Sequence, residues 1–293
     1  MHDDRKLVED RISRYLSHLV RPALYTDQTT LNAVAWQVPG EPVPVAEVLR
    51  LSEADFSPFV NGEPWGGPWS TTWFRFSGQV PEEWAGRRVE AVIDLGFDPT
   101  RGPGGQAEGL VHTLEGQALH GLHPLNRAVL ISQSAVPGAE VEFLVEAAAN
   151  PGIQSAEGNN THFGDKATAG DDPIYRLVSA ELAVRDEEVW HLMHDVEVLD
   201  QLMRELDLAS PRRHEIMRAL ERAADATDPR DVPGTAAAAR TELVDVLSSP
   251  AHGSAHRLSA VGHAHIDSAW LWPLRETVRK CVRTFANVLS LTE

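Results

Sequence analysis

The sequence predicts an α+β multidomain protein: an N-terminal antiparallel β-sandwich, a helical linker, and a strand-and-helix unit of α/β architecture at its C-terminal end. Three observations carry this. Between Trp65 and Arg185 short apolar runs are separated by Gly, Pro and Asn turns. From Glu187 to Leu247 apolar residues recur at helical spacing, and from Leu258 to Leu289 an apolar run, a polar cluster and a second helical pattern follow one another. Short strands with frequent turns mean a sandwich, and a recurrence of three to four residues means helices.

Asp4 to Val20 places Leu7, Ile12, Leu16 and Leu19 near one face, which predicts an amphipathic N-terminal helix. Leu31 to Pro64, interrupted by Pro39, Pro42, Pro44 and Pro58, is expected to be an extended, loop-rich lead into a sheet. Trp65, Trp69 and Trp73 follow in a segment rich in turn residues. Flat aromatic faces suit a sugar, but in a sandwich packing is the preferred reading. Strand patterns follow at Val89–Leu95, Leu110–Val111, Val129–Ile131, Val141–Ala149 and Val178–Val184, while residues 97–108 and 150–172, rich in Gly, Asp, Asn and Pro, are expected to be loops.

Asp186 reads as an N-cap, with Glu187 and Glu188 favouring the helix N-terminus and Val189, Met193, Val196, Leu199, Leu202, Met203 and Leu206 forming a stripe. Ser210-Pro211 suits the start of a second helix, with Ser as cap and Pro at the first position. A third helix is expected from about Thr235 to Leu247, followed by a linker in which His252 and His256 are solvated. The expected divisions are a helix over 1–30, the sandwich over 31–185, the helical linker over 186–250 and the α/β unit from 251 to 293.

Composition bounds the function. At 293 residues, 42% apolar and 24% charged, the chain is globular with room for two domains. Its 26 basic against 43 acidic residues give a net charge of -17, which argues against nucleic acid or an anionic membrane as partner and is compatible with a neutral sugar. Cys281 is the single cysteine, so no internal disulfide forms. The charged N-terminus lacks a signal-peptide core and no run approaches the roughly 18 apolar residues of a membrane span; the expected location is cytoplasmic.

The chemistry sits in Gly262-His-Ala-His-Ile-Asp-Ser-Ala-Trp-Leu-Trp-Pro-Leu-Arg-Glu. His263, His265 and Asp267 fall at i, i+2 and i+4, so an extended segment presents all three on one side. Imidazole nitrogen and carboxylate oxygen are both good ligands for a zinc-like ion. The bland alternative is a set of strand-end residues bonded to nearby carbonyls, with Asp267 capping the next helix. That helix carries Leu274, Val278, Cys281, Val282, Phe285, Val288 and Leu289 along one face, and the apolar run from Leu258 to Val261 reads as the preceding strand of an α/β barrel or doubly wound sheet.

The motif from Gly262 through Trp270-Leu-Trp-Pro to Cys281 resembles the opening of the catalytic domain of glycoside hydrolase family 38, the retaining, metal-dependent α-mannosidases, in their cytosolic and vacuolar branch. The Trp69-Ser-Thr-Thr-Trp-Phe segment resembles the β domain of the same enzymes. The resemblance implies that His265 and Asp267 bind a zinc ion, or a similar divalent ion such as cobalt, and that Trp270 lines the sugar subsite; His263 matches a family histidine without an assignable role. It further implies a seven-stranded α/β barrel that is cut off after its first strand and helix. The catalytic nucleophile, an Asp that also binds the metal, the fourth ligand and the acid/base are then expected beyond Glu293, so no catalytic residue is assigned within the chain. The implied activity is release of mannose from α-mannosides and oligosaccharides, with this portion inactive alone. Relatives of that branch often form multimers.

Two other readings compete. A non-catalytic β-sandwich interaction module could retain the motif as a relic. Amidohydrolases also open a barrel with His-x-His but do not call for the Trp270-Leu-Trp-Pro run, and metallo-β-lactamase-like enzymes need His where Ser268 stands.

Overall fold

The structure is a computed structural model that describes residues 4–100, 105–152, 166–251, 256–268, 270 and 272–292. Its helices are α1 (Arg5–Arg14), α2 (Val45–Val48), α3 (Glu187–Glu205), α4 (Pro211–Ala226), α5 (Val232–Thr241), α6 (Val244–Ser248) and α7 (Leu274–Thr292). Its strands are β1 (Tyr25–Thr30), β2 (Asn32–Gln37), β3 (Ser57–Phe59), β4 (Pro64–Trp65), β5 (Thr71–Gln79), β6 (Val89–Asp94), β7 (Glu108–His112), β8 (Ala118–Leu122), β9 (Ala128–Ser132), β10 (Glu140–Ala148), β11 (Tyr175–Arg176) and β12 (Ser179–Arg185). The chain divides into two compact units, Met1–Asp27 with Val184–Val261, and Gln28–Ala183 with Gly262–Glu293.

The first unit is helical. α1 runs on through a π-helical stretch, Tyr15–Val20, and a 3-10 turn, Arg21–Ala23. Ile12, Tyr15 and Val20 pack with the stripe of α3, Leu192, Val196, Leu199 and Met203, and with Ile216, Leu220 and Ala236. Asp186 caps α3 as its position predicts, accepting the Val189 N–H at 2.9 Å. Ser210 holds the N-cap position of α4 with Pro211 at N1, but its hydroxyl makes no cap bond; its carbonyl instead accepts the Arg213 N–H at 3.1 Å. The expected third helix is two, because α5 starts earlier, on an Asp231 cap to Gly234 N–H at 3.0 Å, and α6 follows after a break. The buried Arg213 guanidinium closes the end of α3, donating to the carbonyls of Met203, Arg204 and Leu206 and to Glu9 Oε1 at 2.7 Å. Carbonyls at a helix C-terminus carry partial negative charge, so a cation there is favourable.

The second unit holds the sheets. One orders its strands β3-β2-β5-β10-β7-β8 and the other β1-β12-β6-β9, with β11 and β4 pairing separately. The expectation that residues 31–64 form only a loop-rich lead is corrected here: β2 is an inner strand, paired with β5 from Asn32↔Ser77 to Gln37↔Thr72. The prolines do not prevent this. Pro39, Pro42 and Pro44 lie after the strand, and Pro58 lies on the edge strand β3, where a missing N–H breaks no ladder. Residues 97–108, expected as a loop, likewise give up Glu108 to β7.

The two faces of the larger sheet differ. Phe74, Phe76, Phe143 and Val145 alternate onto one face, with Phe74 stacked on Phe76 and Phe76 beside Phe143. Thr71, Trp73, Glu146 and Glu108 fall on the other. Part of that second face is covered by Val38 and Val48, which pack on Trp73 and Leu144. Trp65 and Trp73 are buried, and the Trp65 indole donates to the Leu95 carbonyl at 3.0 Å, so both serve packing. Trp69 is half-buried in the left-handed region, φ 64°, where a non-glycine residue is strained.

Candidate functional site

α7 covers the rest of the second face, and it does so with its polar side. Glu276, Thr277, Lys280, Arg283 and Ala286 are buried, while Val278, Phe285 and Leu289 are 63%, 63% and 65% exposed. The reason lies in the sheet. Glu108 of β7 and Glu146 of β10 are buried carboxylates, and only a basic helix face can neutralise them. Lys280 and Arg283 both donate to Glu108, Arg279 donates to Glu146 at 3.1 Å and to Thr71 Oγ1 at 2.7 Å, and Arg283 pairs with Glu276 at 2.6 Å. Asn150 adds a bond to Glu276 at 3.2 Å. Burial would raise the Glu276 pKa, but the Arg283 and Arg279 charges outweigh it and hold the carboxyl down at about 2. Burial likewise disfavours the Arg283 charge, and Glu276 and Glu108 more than offset this, so its pKa is raised. At Gly121 of β8 the backbones come close: Asn287 accepts the Gly121 N–H at 2.7 Å and donates to its carbonyl at 3.1 Å, and an added Cβ would stand 2.9 Å from Arg283 Cβ.

The histidine-rich motif leads into α7. Residues 258–261, expected as a strand, are coil, because a strand needs a neighbour for its N–H and C=O groups and none among the described residues pairs with it. Even so, the polar groups lie near one another. The His263 and His265 rings lie 6.5 Å apart and nearly parallel, and His265 Nε2 lies 3.2 Å from Asp267 Oδ1. This is hydrogen-bonding distance, and it is also close to the roughly 3.3 Å that separates two ligands bound at about 2.0–2.1 Å to one tetrahedral ion, so the spacing is compatible with both. No third His, Cys, Asp or Glu joins them among the described residues. His256 is exposed, and His252 lies outside the described residues.

Asp267 and His265 border a cleft of about 480 Å³ that Trp270, Trp272, Glu108 and His123 also line, a volume in the range of small-molecule sites. Trp270 is 57% exposed; Trp272 is buried and meets Trp270 edge-on, ring centroids 5.6 Å apart. His123 receives the Leu125 N–H on Nδ1 at 3.3 Å, and burial lowers its pKa, so the neutral ring carries its proton on Nε2. Among the described residues the carboxylates lining the cleft are Asp267 and Glu108, and Glu108 is committed to Lys280 and Arg283. Neither Glu108 nor His123, nor the buried basic face of α7, is among the residues the motif marks. The signal available was Glu146 interrupting an apolar strand, with Glu276, Arg279, Lys280 and Arg283 recurring at three to four residues.

Residues 28–183 match the family described as alpha-mannosidase, jelly roll domain, and residues 255–293 match the glycosyl hydrolases family 38 N-terminal domain. The class is therefore a glycosidase jelly roll joined to the start of a family 38 segment. The chain belongs to the α-mannosidases of glycosyl hydrolase family 38. It is 26% identical to alpha-mannosidase 2C1 of Mus musculus over 97% of its length and 27% identical to alpha-mannosidase 2C1 of Homo sapiens over 97%. The chain spans about a quarter of those relatives, 26% of each. Among solved structures, a β-glucuronidase from Ruminococcus gnavus aligns over 56% of this chain and 30% of its own, with a TM-score of 0.38 and 12% identity. Among the described residues no helix is long and apolar enough to cross a membrane.

Proposed function

We propose that this chain is the amino-terminal part of a metal-dependent, retaining α-mannosidase acting in the cytoplasm, in which His265 and Asp267 hold a zinc or similar divalent ion and Trp270 stacks on the mannose. The observation that carries the reading is the His265–Asp267 pair, 3.2 Å apart, at the rim of a cleft walled by Trp270. When bound, the ion would hold mannose hydroxyls at the cleavage position. The chain's own contribution is to present two ligands, offer an exposed indole to the C–H face of a sugar, and close one side of the cleft with His123.

Retaining cleavage needs two carboxyl groups roughly 5–5.5 Å apart, one of them free to give and take a proton. With Glu108 locked in ion pairs, Asp267 has no such partner in the cleft among the described residues, which supports a chain that is inactive alone. The exposed stripe of Val278, Val282, Phe285 and Leu289 supports reading α7 as a barrel helix, since that is the face such a helix turns to the strands of its barrel. Hydrolysis of an aryl α-mannoside by a full-length enzyme containing this chain tests the proposal. A chelator, His265→Ala and Asp267→Ala should each abolish turnover, and the 293-residue chain alone should show none. Wild-type rates in either alanine variant would overturn the ligand assignment.

A further inference from the structure

A chain of short contacts runs from the motif loop back into the jelly roll. The carbonyl of Ser268, the residue after Asp267, accepts the Thr277 hydroxyl at 2.5 Å, and the same hydroxyl oxygen accepts the Trp272 indole N–H at 3.1 Å. The Lys280 ammonium lies 4.2 Å from the Trp272 ring centroid and donates to Glu108. Glu108, Thr277, Lys280 and Trp272 are all buried, at 8 to 9% exposure, so water does not compete for these contacts. An ammonium is attracted to an indole face, but a buried ammonium is stable only beside a carboxylate, and Glu108 is that carboxylate. Its position is itself fixed by the β7 ladder, Glu108↔Ala148. The sheet is therefore the rigid end of this chain, and the motif loop is the end it orders.

We propose that Glu108 is a positioning residue: through Lys280, Trp272 and Thr277 it sets the place of Trp270 and of the loop that bears His265 and Asp267. The catalytic meaning of that placement rests on the function proposed above, whereas the placement itself rests on the contacts alone. In this view the jelly roll is part of the site's construction, because one of its carboxylates decides where the sugar-facing indole stands.

The test uses the 293-residue chain labelled with nitrogen-15 and compares wild type, Glu108→Gln and Glu108→Asp. In Glu108→Gln the indole signals of Trp270 and Trp272 and the amide signals of Asp267 and Ser268 should shift or broaden, while the indoles of Trp36, Trp65 and Trp84 stay in place. Glu108→Asp, which keeps the charge, should restore the wild-type positions in part. Unchanged Trp270, Trp272 and Ser268 signals would overturn the proposal, as would a joint shift of every indole, which would mean general loosening. If Glu108→Gln does not fold, Lys280→Met cuts the link between Glu108 and Trp272 and must move Trp270, Trp272 and Ser268; unchanged signals overturn the proposal. If His265→Ala and Asp267→Ala leave the turnover of a full-length enzyme unchanged while the Glu108→Gln shifts persist in the 293-residue chain, the metal reading falls and the positioning role stands.

Discussion

Replacing Glu276 by Gln removes the centre of the buried ionic cluster with almost no change in shape. Glu276 is 1% exposed, between Arg279 and Arg283. Against its burial, its carboxyl is held down from 4.5 to about 2 in the fold, largely by Arg283 and Arg279 of the same helix, so at about 1.36 kcal/mol per pH unit the resulting figure of about 3 kcal/mol is an upper bound on what Glu276 adds to α7 docking. The cost of breaking a buried pair by removing one partner, about 3–5 kcal/mol, agrees. The sign follows from the depressed pKa. The contribution is complete above the unfolded carboxylate range near 4.5 and is lost as pH falls towards about 2. Hydrogen exchange over the α7 peptide reads this: the upper bound of about 3 kcal/mol corresponds to protection falling by up to roughly a hundredfold at pH 7. Between pH 5 and pH 2.5 the wild-type protection, corrected for intrinsic exchange, should fall more steeply than that of Glu276→Gln, which still holds Glu108 and Glu146 against the same cations. Protection in the Gln variant within about threefold of wild type at pH 7 would refute the claim that these charges hold the helix.

Gly121→Ala should undock α7 by another route, because its Cβ would meet Arg283 Cβ at 2.9 Å and the Asn287 amide at 3.0 Å; faster exchange in α7 with the β5–β10 ladder still protected is the expected pattern. In the helical unit, Arg213→Met takes from Glu9 its hydrogen-bonded cation, leaving Arg5 at 4.0 Å, and strips the α3 carbonyls of their donor, which should cost about 3 kcal/mol and lower the melting temperature of that unit by about 10 °C or more by circular dichroism. Calorimetric titration of the chain with zinc should give weak or no binding, since two protein ligands fall short of the usual three of a catalytic site; tight one-to-one binding would contradict the ligand count.

Much of the fold was legible because local chemistry and packing agree. Of the predicted α3 stripe Val189, Met193, Val196, Leu199 and Met203 are buried, Leu192 joins them, Leu202 turns out to solvent, and Asp186 caps the helix. The strands at Val89–Leu95 and Val141–Ala149 declare themselves by period, since one face of each is core. Other features were hidden by the same rules. β2 was obscured by prolines that flank it or sit on an edge, and β7 by the glycines before Glu108. The sequence places His265 and Asp267 two residues apart, and in the structure they lie 3.2 Å from each other although the segment is coil and not strand. The cleft's other wall was not, because Glu108 and His123 reach it through sheet pairings some 150 residues distant from the motif.

The orientation of α7 shows why periodicity alone could not supply the rest. A hydrophobic stripe reports which side of a helix is apolar, and the usual step from there is that this side is buried. Here the competition is between two faces for one sheet. Docking the apolar face would gain about 1.5–3 kcal/mol for each large side chain fully covered. It would also bury Glu108 and Glu146 without cations, and each uncompensated carboxylate costs several kcal/mol before any gain is counted. The basic face removes that cost and adds three cations matched to three carboxylates, Arg279, Lys280 and Arg283 against Glu108, Glu146 and Glu276. Charge on the sheet therefore chooses the face, and the choice leaves Val278, Phe285 and Leu289 outward. The same choice places Lys280 under Trp272 and Thr277 beside Ser268, so the electrostatics that seat the helix also set the loop carrying His265 and Asp267.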